Sequence, residues 1–249
     1  MPTSKPPLIQ VRHFVKSFGS KKVHKDINFE LHQGECLGLI GGSGTGKSVL
    51  LRSLIGLEKP DAGEIIYEGQ DITKFSEKQL YSVRKKISYV FQGGALFDSM
   101  TVFENLAYPL KEHSQLNRTE IETKILNLLN EFGLAGNHLL YPASLSGGMQ
   151  KRVGLARAII MNPEVVLYDE PTAGLDPFNT RKIEDMILRL KEKGVSSILV
   201  THDMPVAFKV CDRIAMIMDG KINTVVKTRD LDMSTTDHVI TKFASGEAH

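Results

Sequence analysis

Two glycine-rich turns constrain this chain more than anything else in it. Gly41-Gly42-Ser43-Gly44-Thr45-Gly46-Lys47-Ser48 matches G-x-x-x-x-G-K-[ST], and Leu145-Ser146-Gly147-Gly148-Met149-Gln150 sets a hydroxyl and two glycines ahead of another helical pattern. The first pattern makes a turn of consecutive backbone N–H groups that opens into a helix N-terminus, where partial positive charge meets phosphate. Gly41, Gly44 and Gly46 let that turn wrap closely. Lys47 is placed to reach phosphate, and the Ser48 hydroxyl suits Mg2+, which keeps few protein ligands when it sits among phosphate oxygens. The surroundings agree: residues 35–40 read as a buried strand and residues 48–55 as a helix, the strand–loop–helix setting the motif requires.

Further on, Val165-Val166-Leu167-Tyr168 is an apolar run that ends in Asp169-Glu170. Two carboxylates therefore emerge where a central strand ends and face a phosphate site. Asp169 fits the acid that holds Mg2+, and Glu170 is placed to orient and deprotonate a water for in-line attack on a terminal phosphate.

The order of motifs adds what single residues do not. Gly46-Lys47-Ser48, Tyr89-Val90-Phe91-Gln92, Leu145-Ser146-Gly147-Gly148, Asp169-Glu170, Ala173-Gly174-Leu175-Asp176 and Thr201-His202-Asp203 follow one another along the chain. In that order they resemble the phosphate loop, Q-loop, signature motif, acidic pair, D-loop and H-loop of the ATP-binding subunits of ABC transporters, over about residues 8–226. The resemblance implies an α/β P-loop NTPase: a RecA-like core, an antiparallel β-subdomain and an inserted α-helical signature lobe at about residues 93–158, in a domain of residues 1–226 with a tail at 227–249. It implies ATP and Mg2+ as cofactors and ATP hydrolysis as the activity.

It also implies roles. Phe18 stacks on adenine; Gly41, Gly42, Ser43, Gly44, Thr45, Gly46, Lys47 and Ser48 hold phosphates; Ser48, Gln92 and Asp169 hold Mg2+. Gln92 senses the γ-phosphate and the attacking water, Glu170 is the base, His202 grips the γ-phosphate, and Asp176 belongs to the D-loop at the nucleotide. On their own, Phe18 reads first as core or turn packing, Gln92 as an exposed loop residue and His202 as a structural histidine. Ser146, Gly147 and Gly148 start a predicted helix that runs through residues 150–158, a second anion-binding N-terminus. In the family that surface closes on the ATP of the opposite subunit, so each complete site needs two chains head to tail, closing on ATP and opening after hydrolysis.

Composition narrows the alternatives. At 249 residues and 41% hydrophobic content the chain supports one sizeable core or two small ones. A net charge of +2, with no basic tail or Lys/Arg stripe, gives no footprint for nucleic acid. Cys36 and Cys211 are the two cysteines and read as reduced core thiols. Residues 1–7 lack an apolar signal segment, and the absence of an 18-residue apolar stretch predicts a chain that does not span a membrane. A DNA-repair relative needs a long coiled coil and a translation-factor relative two nucleotide domains; a non-catalytic regulator is expected to lose Glu170 or His202, and both are present.

Residues 8–15 and 27–31 alternate like edge strands, and residues 63–69 read as another strand between turn residues. Ser76 with Gln79 and Thr119 with Glu122 fit capping boxes, and Ile121, Ile125, Leu128, Leu129 and Phe132 follow helical spacing. Residues 93–105, 107–113 and 80–86 closely resemble the Mla/Mce-type lipid transporter ATPases. That likeness implies an integral membrane permease whose coupling helix enters a groove lined by Phe97, Met100, Val102 and Tyr108, a periplasmic Mce-type lipid-binding protein, and a small STAS-domain regulator reached by the tail. It places the subunit peripherally on the cytoplasmic face of a bacterial inner membrane, driving phospholipid between membranes. The alternative is a small-solute importer or a lipoprotein-release ATPase. Ser234-Thr235-Thr236-Asp237 is expected to cap a last helix carrying Val239, Ile240 and Phe243, followed by disorder in residues 245–249.

Overall fold

The computed structural model describes residues 6–231 and 238–246. In chain order the elements are β1 (Ile9–Phe18), β2 (Lys21–Leu31), β3 (Cys36–Ile40), α1 (Lys47–Ser53), β4 (Ala62–Tyr67), β5 (Gln70–Asp71), α2 (Glu77–Lys86), β6 (Ile87–Val90), α3 (Val102–His113), α4 (Arg118–Glu131) and α5 (Gly147–Ile159). They continue with β7 (Val165–Asp169), α6 (Pro177–Glu192), β8 (Ser196–Val200), α7 (Met204–Val210), β9 (Arg213–Met218), β10 (Lys221–Lys227) and α8 (Val239–Ala244). The strands form one sheet in the order β5-β4-β1-β2-β10-β9-β3-β8-β7-β6.

The two halves of the sheet differ because their sequences do. β3, β7 and β8 are buried at every position, and β3 pairs in parallel with β8 and β9, and β7 with β6 and β8. Near-continuous apolar runs suit strands covered on both faces by crossover helices. β1, β2 and β4 carry mixed buried and exposed positions and pair antiparallel, which is the β-subdomain. The reading of residues 8–15 and 27–31 as edge strands is corrected: β1 lies between β2 and β4, and β2 between β1 and β10. Their exposed residues face solvent on one side of the sheet, a pattern that alternation alone does not separate from an edge.

Two cores flank the sheet. One gathers Phe14, Ile27, Leu50, Leu51 and Ile198 under the β-subdomain; the other joins α3, α4 and α5 to α6 and α7 through residues such as Leu106, Ile125, Val153 and Ile183. α3 is held by the box of Thr101 and Glu104 and α4 by that of Asn117 and Glu120, so the expected Thr119–Glu122 cap is displaced two residues toward the N-terminus. Asn117 accepts from Glu120 N at 3.1 Å, and an Asn is as strong a cap as a Thr. The Ser76–Gln79 box stands as expected. Val102 is wholly buried and belongs to the lobe core, which corrects its place in the expected groove. In the tail, His238 caps α8 through Nδ1, 3.2 Å from Ile240 N, and Ile240 is buried in the main core; the cap expected at residues 234–237 lies outside the described residues. Cys36 and Cys211 are free and buried.

Candidate nucleotide site

The strand order delivers the site. β3 runs directly into the glycine turn, α1 leaves from it, and β7 brings Asp169 alongside at its C-terminal end. A cleft of about 570 Å³ opens there, lined by Phe18, Lys47, Ser48, Gln92, Glu170 and His202 among others. Gly46 caps α1 with φ at 87°, and a Cβ there would lie 2.3 Å from Val23 Cγ1 and 2.6 Å from His24 Nε2, so only glycine fits this turn.

The side chains within reach of the turn are already organised. Lys47 is buried, with its ammonium on the carbonyls of Gly41 (2.8 Å) and Gly42 (2.9 Å). Burial lowers its pKa, while the nearby carboxylates of Glu170 and Asp169 pull it the other way. The Ser48 hydroxyl donates to Asp169 Oδ1 at 2.8 Å, and the Tyr89 hydroxyl donates to Asp169 Oδ2 at 2.7 Å. Both carboxylate oxygens are thereby oriented. Burial, and the carboxylate that accepts its proton, raise the Tyr89 pKa well above the ordinary phenol value.

Glu170 stands with φ at 51°, left-handed backbone that costs a non-glycine residue roughly 1 kcal/mol or more and concentrates at functional sites. Its N–H donates to the Val200 carbonyl at 2.9 Å, which ties the turn after β7 to the end of β8. Its carboxylate Oε2 lies 2.8 Å from His202 Nδ1 and 3.3 Å from His202 N, so acid and histidine form one unit at the mouth of the cleft.

Ser146, Gly147, Gly148 and Asp176 lie elsewhere. Ser146 caps α5 by accepting from Met149 N at 3.3 Å, and Ser146 and Gly147 are exposed. Gly148 is buried because Asn179 of α6 packs on it: a Cβ at Gly148 would fall 2.4 Å from Asn179 Cγ. Asp176 caps α6, accepting from Phe178 N (2.9 Å) and Asn179 N (3.0 Å), and these bonds hold its carboxyl below the usual range. The Lys151 ammonium bonds the Ala173 carbonyl, linking α5 to the turn that carries Gly174 and Leu175.

Sequence reasoning passed over Tyr89, His24 and Lys151 as site residues. Tyr89 had a signal: it sits in the same stretch as Gln92, on a strand paired in parallel with β7 one residue from its end. His24 and Lys151 had none, since each acts through a backbone carbonyl that no motif specifies.

Residues 24–173 match the family described as ABC transporter. A phospholipid-system ATP-binding protein, MlaF of Haemophilus influenzae, is 36% identical over 242 residues, 97% of this chain and 91% of that protein. The chain belongs to the ABC transporter ATP-binding family. It is an ABC-type ATPase domain. The methionine import ATP-binding protein MetN of Francisella tularensis is 40% identical over 97% of this chain and 70% of its own length. The probable ribonucleotide transport ATP-binding protein mkl of Mycobacterium tuberculosis is 39% identical over 96% of this chain, which spans 66% of that protein's length. Among solved structures, a dimeric bacterial ABC transporter cassette superposes with a TM-score of 0.83 at 31% identity, covering 89% of this chain and 99% of that one. Another describes a dimeric cassette after hydrolysis, bound to ADP and Pi (TM-score 0.82, 31% identity, the same coverage). The ABC ATPase fold and ATP as its nucleotide are therefore as the sequence led us to expect.

Proposed function

We propose that this ABC ATPase hydrolyses ATP between two head-to-tail copies and, through a membrane permease, energises phospholipid transport between bacterial membranes. The observation that carries the hydrolytic part is the Glu170–His202 pair, 2.8 Å apart at the mouth of the phosphate cleft. Glu170 takes a proton from the attacking water, and His202 orients Glu170 in the resting site and meets the γ-phosphate when ATP binds. Lys47 leaves the Gly41 and Gly42 carbonyls for the β- and γ-phosphates, and the loop N–H groups from Gly42 to Ser48 cradle them. Phe18, 46% exposed at the edge of the cleft with the Lys16 ammonium 5.2 Å from its ring centre, offers the adenine a face.

The donor set fits Mg2+. The Ser48 hydroxyl and Asp169 carboxylate are hard oxygen ligands already 2.8 Å apart beside the phosphate loop, and Gln92, whose side-chain amide carries a further oxygen, lines the cleft. When bound, Mg2+ neutralises developing charge on the phosphate oxygens. Ser146, Gly147, Gly148 and Asp176 lie outside that cleft, which supports a second copy as the source of the signature loop for each ATP.

The lipid reading rests on the likeness of residues 93–113 to Mla/Mce-type ATPases, supported by the similarity to the phospholipid-system relative. The surface there suits a docking helix. Phe97 and Tyr108 are each nearly half exposed with ring centres 5.5 Å apart, beside Tyr81, Pro109 and Arg157 in a groove of about 430 Å³. The permease would sit on this groove and hold the subunit at the cytoplasmic face of the inner membrane, with an Mce-type lipid-binding protein and a STAS-domain regulator as further partners. Among the described residues, no helix is long and apolar enough to cross a membrane. The similarity to the methionine import protein favours one second reading, a small-solute importer.

Deletion of the gene separates them. Under the lipid reading it is expected to make the outer membrane leaky to detergents, while Tyr108→Glu, in the groove itself, is expected to leave ATP binding intact and break assembly with the permease. An intact barrier with failed uptake of one amino acid overturns the lipid reading.

A further inference from the structure

His24 stands on β2 against the phosphate loop, and no motif accounts for it. The side chain is wholly buried. Its Nε2 lies 3.1 Å from the Gly46 carbonyl, and its Nδ1 has no hydrogen-bond partner among the described residues. A carbonyl only accepts, so Nε2 carries the proton and Nδ1 keeps a bare lone pair. Phe14 packs edge to face on the ring with centroids 5.4 Å apart, closing one side with apolar surface.

The carbonyl it meets is a critical one. Gly46 O also accepts the first bond of α1, from Leu50 N at 3.0 Å, and it belongs to the peptide that carries the Lys47 N–H. In a trans peptide the C=O and N–H point opposite ways. Anchoring the Gly46 oxygen on His24 aims the Lys47 N–H away from the histidine.

We propose that His24 is a positioning residue for nucleotide binding: as a neutral ring donating from Nε2, it fixes the Gly46–Lys47 peptide in the orientation that presents its N–H to phosphate. This rests on the phosphate-loop reading above. The charged groups on the elements packed around His24 are cations, and none of them is hydrogen-bonded to the ring. Lys16, opposite it on β1, bonds the Lys59 carbonyl at 2.7 Å; the Lys47 ammonium of α1 is on Gly41 and Gly42; Lys221 of β10 pairs in register with Asp26. Among the described residues, no group is placed to accept a hydrogen bond from a proton on Nδ1. Burial accordingly pushes the His24 pKa below the ordinary histidine value, against the weaker upward pull of the Gly46 bond. Acid that does protonate the ring places an unpaired N–H⁺ in apolar surroundings and loosens the brace.

The test is equilibrium binding of Mg-ATP to the full chain between about pH 5.5 and 8.5, for wild type, His24→Leu, His24→Gln and Lys47→Ala. His24→Leu is expected to bind roughly three- to tenfold more weakly at pH 8, the loss of one neutral hydrogen bond. His24→Gln, whose amide N–H donates, is expected to recover most of that affinity. The ratio of wild-type to His24→Gln affinity, in which the titration of ATP itself cancels, falls as pH drops. Wild-type affinity in His24→Leu overturns the proposal while a failed Lys47→Ala upholds the loop; an unaffected Lys47→Ala overturns the loop reading itself. Nitrogen NMR of the histidine rings in the wild type needs no variant to fold: an Nε2–H tautomer is expected, and an Nδ1–H tautomer overturns the assignment.

Discussion

The chain carries two glycine turns that each start a helix, and they differ in everything around them. Gly41 to Ser48 lies in a cleft where an ammonium, a hydroxyl, two carboxylates and a histidine converge. Ser146 to Gly148 starts α5 with Ser146 and Gly147 exposed and Gly148 backed by Asn179, outside that cleft. The same local physics, N–H groups at a helix start, is embedded once in a cleft lined by charged side chains and once on an exposed surface. On the function proposed above, a complete site forms where the exposed turn of one copy meets the cleft of another.

The largest expected effect falls on the embedded turn. Glu170→Gln is expected to keep ATP binding and slow hydrolysis by about 100-fold or more, since loss of a general base typically costs 10²–10⁴. Turnover within about threefold of wild type in a steady-state assay removes Glu170 from that role. Lys47→Ala should abolish most ATP affinity by calorimetry, because the charge facing the β- and γ-phosphates is gone. The bare turn should behave in the opposite way. Ser146→Arg is expected to leave ATP affinity of the dilute chain near wild type while lowering hydrolysis about tenfold or more at concentrations that favour pairing; a matching loss of affinity in the dilute chain returns the signature loop to its own cleft.

Smaller effects sharpen the account of the cleft. Tyr89→Phe removes one of the two donors that orient Asp169, and a several-fold change in hydrolysis is expected, in line with about 1 kcal/mol for one hydrogen bond. For His24 the sign is set by its lowered pKa. The unfolded chain takes up a proton near pH 6.5 and the folded chain only at lower pH, so stability holds above about 6.5 and falls as pH drops below it. Denaturant unfolding of His24→Gln should show a flatter acid limb than wild type.

How much of this was legible varies with the kind of information each residue holds. Gly41 to Ser48, Asp169 and Glu170 were readable because their chemistry demands fixed types at fixed spacing. The strands β3, β7 and β8 were readable because burial on both faces leaves unbroken apolar runs. Val102 was misplaced because an apolar residue in the first turn of a helix looks the same in sequence whether it faces a partner or the core. The Asn117 cap was missed beside Thr119 because two capping residues two positions apart compete, and the side chain that meets the third N–H decides. The brace from His24 to Gly46 joins residues 22 apart through a backbone oxygen, so no side-chain pattern records it.

The most direct measurement mixes two inactive variants, Ser146→Arg and Lys47→Ala, and assays ATP hydrolysis. If the signature loop works on the opposite copy, each mixed pair concentrates both defects in one site and leaves the other whole. Random pairing should then restore up to about a quarter of wild-type activity, well above either variant alone. A mixture no more active than its separate parts contradicts sites shared between two copies.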